Sequence, residues 1–158
     1  MAAKTNAARL FDAAGKEYRI HSYDGADGLI DGVSVAKKCG QEPERVFKTL
    51  VTVGHSGGHY VFVVPVAESL DLKKAAKAVA EKSIEMIPQK ELLPLTGYVH
   101  GGCSPFGMKK RFPTVFEESA ALFDTICVSA GKIGFQIEAA PDDMIAMAGD
   151  AVYGDIVK

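Results

Sequence analysis

The sequence has no tryptophan and only three cysteines, Cys39, Cys103 and Cys127, none in a C-x-x-C spacing. An odd, scattered set excludes a disulfide framework and a cysteine zinc cluster as the organising principle, and reduced thiols fit a reducing compartment. No stretch approaches the roughly 20 apolar residues that a membrane-spanning helix needs. Met1 to Arg9 also lacks the basic-then-apolar order of a secretory leader, so the expectation is a cytoplasmic protein with no membrane partner. An excess of positive charge is missing too: 18 Lys and Arg stand against 20 Asp and Glu, a formal net charge of −2. Binding nucleic acid across a broad face draws its strength from neutralised phosphates, so this balance argues against a DNA-binding protein and confines RNA contact to local patches. Internal repeats, low-complexity tracts and linkers are absent as well, which points to one domain over residues 1–158.

With 47% hydrophobic residues in 158, the chain is long enough to bury a core. Thr5 to Ala14 reads as a short helix with Thr5 as its cap and Gly15 as its stop, Tyr18 to Tyr23 as a strand, and Val33 to Cys39 as a helix ended by Gly40. Val46 to Val53 and His59 to Val66 are β-rich runs joined by a Gly-rich hairpin turn. Asp71 opens an Ala/Lys helix to about Ala80, followed by a brief strand at Ser83 to Met86 and a small helix at Pro88 to Leu93. Tyr98 to His100, Thr114 to Phe116, Thr125 to Ser129 and Phe135 to Glu138 read as short strands, and Pro141 with Asp142 and Asp143 starts a final helix. Helices and hairpins in irregular alternation predict an α+β domain with a mixed sheet, and argue against a regular βαβ series.

Two runs carry the chemistry. In Val46-Phe47-Lys48-Thr49-Leu50, strand alternation sends Lys48 to the same face as Val46 and Leu50. An ammonium there must snorkel or meet an anion. The run Gly101 to Arg111 combines three glycines, Ser104-Pro105 and the cations Lys109, Lys110 and Arg111. Close backbone approach followed by positive charge suits a ligand carrying phosphate or a developing oxyanion. Read as a loop, Gly101 and Gly102 have amides free to polarise an ester carbonyl; read as a bulge, they only end a strand. Lys73, Lys74 and Lys77 form a second basic patch, which as a charge run is most simply a solvated helix face. Cys103 follows His100 by three residues, but no third group orients the histidine, and a small buried thiol is the commoner state of cysteine. His21, His55 and His59 are scattered, and no metal cluster is read.

The Phe47 to Leu50 stretch, Thr96-Gly97-Tyr98 leading to Gly101-Gly102, the Ser104-Pro105-x-Gly107-x-Lys109-Lys110-Arg111 loop, Val128-Ser129 before Gly131-Lys132, and the helix start Leu72 to Lys77 together resemble the YbaK family. These are free-standing Cys-tRNA(Pro) deacylases related to the editing insertion of prolyl-tRNA synthetases. The resemblance runs from about His21 to the C-terminus, and several separated blocks in order are more specific than one glycine motif. It implies a single curved, mixed β-sheet with flanking helices, no cofactor and no metal. It also implies hydrolysis of mischarged Cys-tRNA(Pro) in which the substrate cysteine's own thiol attacks the ester. Lys48 is then the main functional side chain and holds the RNA end, with Gly101 and Gly102 orienting the ester. Tyr23, Thr49, Ser104 and Ser129 bind substrate, and Lys109, Lys110 and Arg111 touch RNA. The implied partners are aminoacyl-tRNA and prolyl-tRNA synthetase. The sequence departs from the family at Ala130, where relatives often have glycine, at Ile133 in place of a frequent arginine, and at Gln136, where a small polar or acidic residue is common. Other readings of the same residues are a deacylase of Ala- or Ser-tRNA and a non-enzymatic module that captures the charged RNA end.

Overall fold

The Thr5 side chain accepts a hydrogen bond from the Ala8 amide and so opens the first helix, α1 (Asn6–Ala13), in a computed structural model that describes residues 5–149 and 151–158. β1 (Arg19–Ser22) follows, then α2 (Gly32–Lys38), capped by Asp31, and a 3-10 turn at Pro43–Arg45. β2 (Phe47–Gly54) and β3 (His59–Pro65) form the hairpin. Asp71 accepts from the Lys73 and Lys74 amides and thereby starts α3 (Leu72–Ala78), which leads to β4 (Ile84–Met86). A 3-10 turn at Gln89–Glu91 runs into α4 (Leu92–Thr96), which ends at Gly97 in the left-handed conformation. The glycine loop then reaches β5 (Thr114–Glu117), and after a 3-10 segment the chain closes with β6 (Ile126–Ser129), β7 (Phe135–Ala139), α5 (Pro141–Met147) and β8 (Val152–Gly154).

This is an α+β fold with a mixed sheet, as the sequence pattern predicts, but the strands divide between two sheets where one was expected. One sheet is antiparallel in the order β1-β7-β6; the other has the order β4-β2-β3-β5-β8, with β3, β5 and β8 parallel. A single bridge between Val46 and Cys127 joins them at the start of β2. The main cluster, with Phe11, Phe106, Phe116, Ile126, Ile137 and Met144 fully buried, also takes Val61 and Val63 from β3. The alternate β3 residues, Phe62 and Val64, join a second cluster with Ala75 and Ala76 of α3 and with Ile156. Both faces of β3 are therefore buried, which is why its sequence reads as a continuous apolar run without alternation. Ile156 reaches that cluster because its carbonyl accepts from the Asp71 amide at 2.8 Å. A small third cluster packs Ala36 of α2 on Val46, Val66 and Cys127.

Two elements differ from expectation. Tyr98 to His100 is not a strand: the Tyr98 amide donates to the Thr96 hydroxyl at 3.1 Å and the Val99 carbonyl accepts from Gly102, so neither group is left for a ladder. β8 had no counterpart in the sequence reading, because three residues are too few to show a period.

Candidate active site

Lys48 stands on β2 between two clusters. Val46, two residues before it, belongs to the α2 cluster, while Leu50, two residues after it, packs on the α3 cluster. The shared face is thus as predicted, but the apolar cover parts at the lysine and opens a cavity of about 300 Å³. Among the described residues no hydrogen bond or ion pair engages the ammonium; burial pushes its pKa below the ordinary 10.5, and the charge of exposed Glu68 opposes that only in part. A half-buried cation without a partner is costly unless an anion arrives.

The same cavity is lined by Tyr23, Thr49, Gly101 and Ser129. These four residues come from the end of β1, the β2 edge, the glycine loop and the end of β6, and the start of α2 and β7 join them in the lining. β4 pairs with β2 only from Thr52 onward, so the first half of β2 presents an edge free of that strand. Thr49 Oγ1 and Gln136 Oε1, of residues in the lining, are buried with no partner among the described residues.

Gly101 occupies the third position of a turn closed by the Gly102 amide on the Val99 carbonyl at 2.9 Å, and its φ of +85° is what a type II turn requires there. A Cβ on Gly101 would sit 2.6 Å from Ile30 Cδ1. Gly102 is a correction to the sequence reading: its amide is spent on that turn, the residue is buried, and it does not line the cavity. Gly101, by contrast, lines the cavity, and its amide makes no backbone hydrogen bond among the described residues. Ser104 also lies apart, fully buried, with its hydroxyl accepting from the Phe106 amide at 3.4 Å. The loop is held from below by Tyr98, whose hydroxyl donates to the Phe106 carbonyl and accepts from Asn6 Nδ2 at 2.9 Å.

Ile30 is delivered by the Asp24 to Asp31 loop, which Lys38 staples with three bonds from its ammonium: to the Asp24 carbonyl at 2.6 Å, Asp27 Oδ1 at 2.7 Å and the Leu29 carbonyl at 3.0 Å. Nothing in the sequence marks this lysine, whose partners lie in a glycine-rich loop. The departures from the family pattern also find places. Ile133 packs against the glycine loop, its amide 3.0 Å from where a Gly102 Cβ would be. Ala130 is fully buried, its carbonyl accepting from Ala7 of α1. Gln136, only 2% exposed, faces the cavity.

Cys103 lines the cavity too, but burial pushes its thiol up to about 12, so it is protonated at neutral pH and unactivated. His100 reaches the same lining from an exposed position, with no hydrogen bond to the thiol among the described residues. The basic trio stands elsewhere. Lys110 and Arg111 line a separate cleft with Leu10 and Phe112, and Lys109 covers Gly97; all three are exposed. Lys74, of the other patch, is tied to Asp155 at 3.1 Å and to the Val157 carbonyl at 2.9 Å.

His21 is not isolated as expected: its ring and the side chains of Cys127 and Glu138 bring ligand-type atoms within 4.8 Å of one another. Glu138 is already engaged, with His21 Nε2 at 2.6 Å, the Thr125 hydroxyl at 2.5 Å and Arg45 at 3.7 Å. Burial pushes the Cys127 thiol up to about 12. A saturated carboxylate beside a guanidinium is a poor seat for a second cation.

The chain is similar to several known proteins. A family model described as "Aminoacyl-tRNA editing domain" matches residues 31–147. A protein of Enterococcus faecalis (strain ATCC 700802 / V583), named "Putative Cys-tRNA(Pro)/Cys-tRNA(Cys) deacylase EbsC", is 46% identical over 144 residues, 91% of this chain and 88% of that one. The solved structure described as "Crystal structure of a putative trans-editing enzyme for prolyl tRNA synthetase" superposes with a TM-score of 0.83 over 99% of both chains at 24% identity. A hypothetical protein of known structure gives a TM-score of 0.85 at 20% identity, over 95% of this chain and 97% of that one. The last two are likenesses of fold.

Proposed function

This chain belongs to the aminoacyl-tRNA editing domain family, and we propose that it is a deacylase that frees tRNA(Pro) of wrongly attached cysteine. The observation that carries the reading is the unpartnered Lys48 ammonium in a cavity shared with Tyr23, Thr49, Gly101 and Ser129. Such a cavity suits the charged 3′ end of a tRNA. Lys48 holds a phosphate of the terminal nucleotides, and the Gly101 amide donates to the ester carbonyl. Tyr23, Thr49 and Ser129 surround the aminoacyl group.

Cysteine and proline are close in size, so a synthetase pocket separates them poorly and a second sieve is needed. Cys103, the thiol in the lining, is not an activated nucleophile, since it is protonated. An aminoacyl ester is already reactive, and the thiol of the bound cysteine lies within reach of its own ester carbonyl. Attack by that thiol expels the ribose oxygen and forms a cyclic thioester, so the site needs only to orient and polarise.

The small net negative charge and the confinement of cations to patches imply weak binding to tRNA alone. Selectivity for tRNA(Pro) is therefore borrowed from prolyl-tRNA synthetase in a ternary complex, with Lys109, Lys110 and Arg111 touching RNA. Linking two modest surfaces raises the effective concentration enough for productive editing. The test is clearance of Cys-tRNA(Pro), Cys-tRNA(Cys), Ala-tRNA(Pro) and Ser-tRNA by purified protein, with and without the synthetase. Time-dependent release from Cys-tRNA supports the reading, and binding without release converts the protein to a capture module.

A further inference from the structure

The cavity's polar lining is asymmetric. Lys48 and the Gly101 amide are donors, matched to the phosphate and carbonyl oxygens of an aminoacyl ester. What they leave unread is the donor on the amino acid, its α-ammonium. Asp31, the carboxylate in the lining, already caps α2, accepting from the Ser34 amide at 3.1 Å and the Ser34 hydroxyl at 2.6 Å. An acceptor with no partner among the described residues is Gln136. Its residue lies on β7 between Ser129 of β6 and His21 of β1, it is 2% exposed, and its Oε1 is buried with no partner. An amide oxygen held dry and unpaired in a folded protein calls for a ligand that completes it.

We propose that Gln136 is a specificity-determining residue whose amide oxygen accepts a hydrogen bond from the substrate's α-ammonium, restricting the site to aminoacyl esters with a free amino group. Thr49 Oγ1, the other unpaired atom of the lining, supports it as a second acceptor. This rests on the deacylase reading. It also gives a use to position 136, where the sequence departs from the family pattern. Esters whose amino group is acylated, as in formylated or peptidyl-tRNA, would be spared.

The experiment compares Cys-tRNA(Pro) with its N-acetyl derivative on wild-type protein, Gln136→Leu and Gln136→Glu. Wild type is expected to clear the free-amino substrate at least about tenfold faster than the acetylated one, whose neutral amide N–H replaces a charged donor. Gln136→Leu should raise KM for the free-amino substrate by a similar factor, affect the acetylated one less, and so narrow the discrimination. Gln136→Glu keeps the acceptor and should restore it. Equal clearance of both substrates by wild type, or discrimination that survives undiminished in Gln136→Leu, overturns the assignment. Should the leucine variant not fold, Gln136→Met is read by the same comparison. Failure of wild type on both substrates instead removes the deacylase reading itself.

Discussion

The Gly102 amide donates to the Val99 carbonyl at 2.9 Å, and in doing so it turns the neighbouring Gly101 toward the cavity with φ at +85°. The two adjacent glycines thus have different places, one closing the turn and the other lining the cavity.

From that difference, Gly101→Ala and Gly102→Ala should not behave alike. Alanine at 101 meets both an unfavourable φ, worth about 1 kcal/mol or more, and the Ile30 side chain at 2.6 Å. It should remove most deacylation. Alanine at 102 has no positive φ to adopt and presses the Ile133 backbone at 3.0 Å. It should lower thermal stability more than it lowers kcat on the fraction that remains folded. Melting curves and single-turnover rates on both variants decide this.

Lys48→Met should cut deacylation on the order of a hundredfold, the scale for losing one charge-assisted contact in the transition state. The same change should leave stability equal or raise it by about 1 kcal/mol, because a desolvated charge is exchanged for an apolar stem. The pH dependence has a definite sign. The folded pKa lies below the ordinary 10.5, so between the two values the unfolded chain holds more protons, and stability from this group rises with pH. Binding of a non-hydrolysable charged-end analogue should fall over that same window. The methionine variant should show neither trend, and wild-type turnover in it would remove Lys48 from the mechanism.

Cys103→Ala should retain most of its activity, and no acyl-enzyme should appear by mass spectrometry of a quenched reaction. The thiol that matters belongs to the substrate. An S-methylated Cys-tRNA(Pro) and Ser-tRNA(Pro) should both be cleared far more slowly than Cys-tRNA(Pro). Equal rates would end the substrate-assisted scheme.

Tyr98→Phe tests the support of the glycine loop. It strips a partner from the Phe106 carbonyl and from Asn6, and should destabilise the fold by about 1–3 kcal/mol. Urea denaturation measures it, and the loss of activity should follow the loss of folded protein.

Neutralising Lys109, Lys110 and Arg111 together should weaken binding to tRNA in the presence of prolyl-tRNA synthetase. The log-log salt slope of binding should fall by about one for each phosphate that is no longer neutralised. None of these three residues lines the Lys48 cavity. Turnover of a saturating minimal substrate should therefore stay unchanged. A parallel drop in that turnover would place the trio at the reaction instead.

Much of the fold is legible in the chain because caps and turns are local. Thr5, Asp31 and Asp71 each cap a helix through their own side chains, and the two apolar runs around a glycine turn mark the hairpin. Lys48 is legible for a different reason, since a charge in an apolar strand is conspicuous. What stays hidden depends on the conformation the backbone takes in a turn or on pairing with distant strands. The state of the Gly102 amide is set by Val99, the isolation of Ser104 by the packing around it, and the placing of Gln136 at the cavity by how β7 pairs with β1 and β6. The strand expected at Tyr98 fails because a hydroxyl two residues back, that of Thr96, takes the amide first.

Ile156, buried under α3 and bonded to Asp71, makes the assembly order of the protein vectorial in an unfavourable sense. A chain emerging from the ribosome makes its β2–β3 hairpin early, yet the outer face of that hairpin cannot be sealed until Ile156, which follows it at a long distance in sequence, arrives. Until then Phe62 and Val64 lie under an incomplete cover, and an uncovered pair of apolar strands is where nascent chains associate wrongly. Loss of the Ile156 side chain would thus be felt during synthesis, as lost yield, before it is felt at the distant cavity.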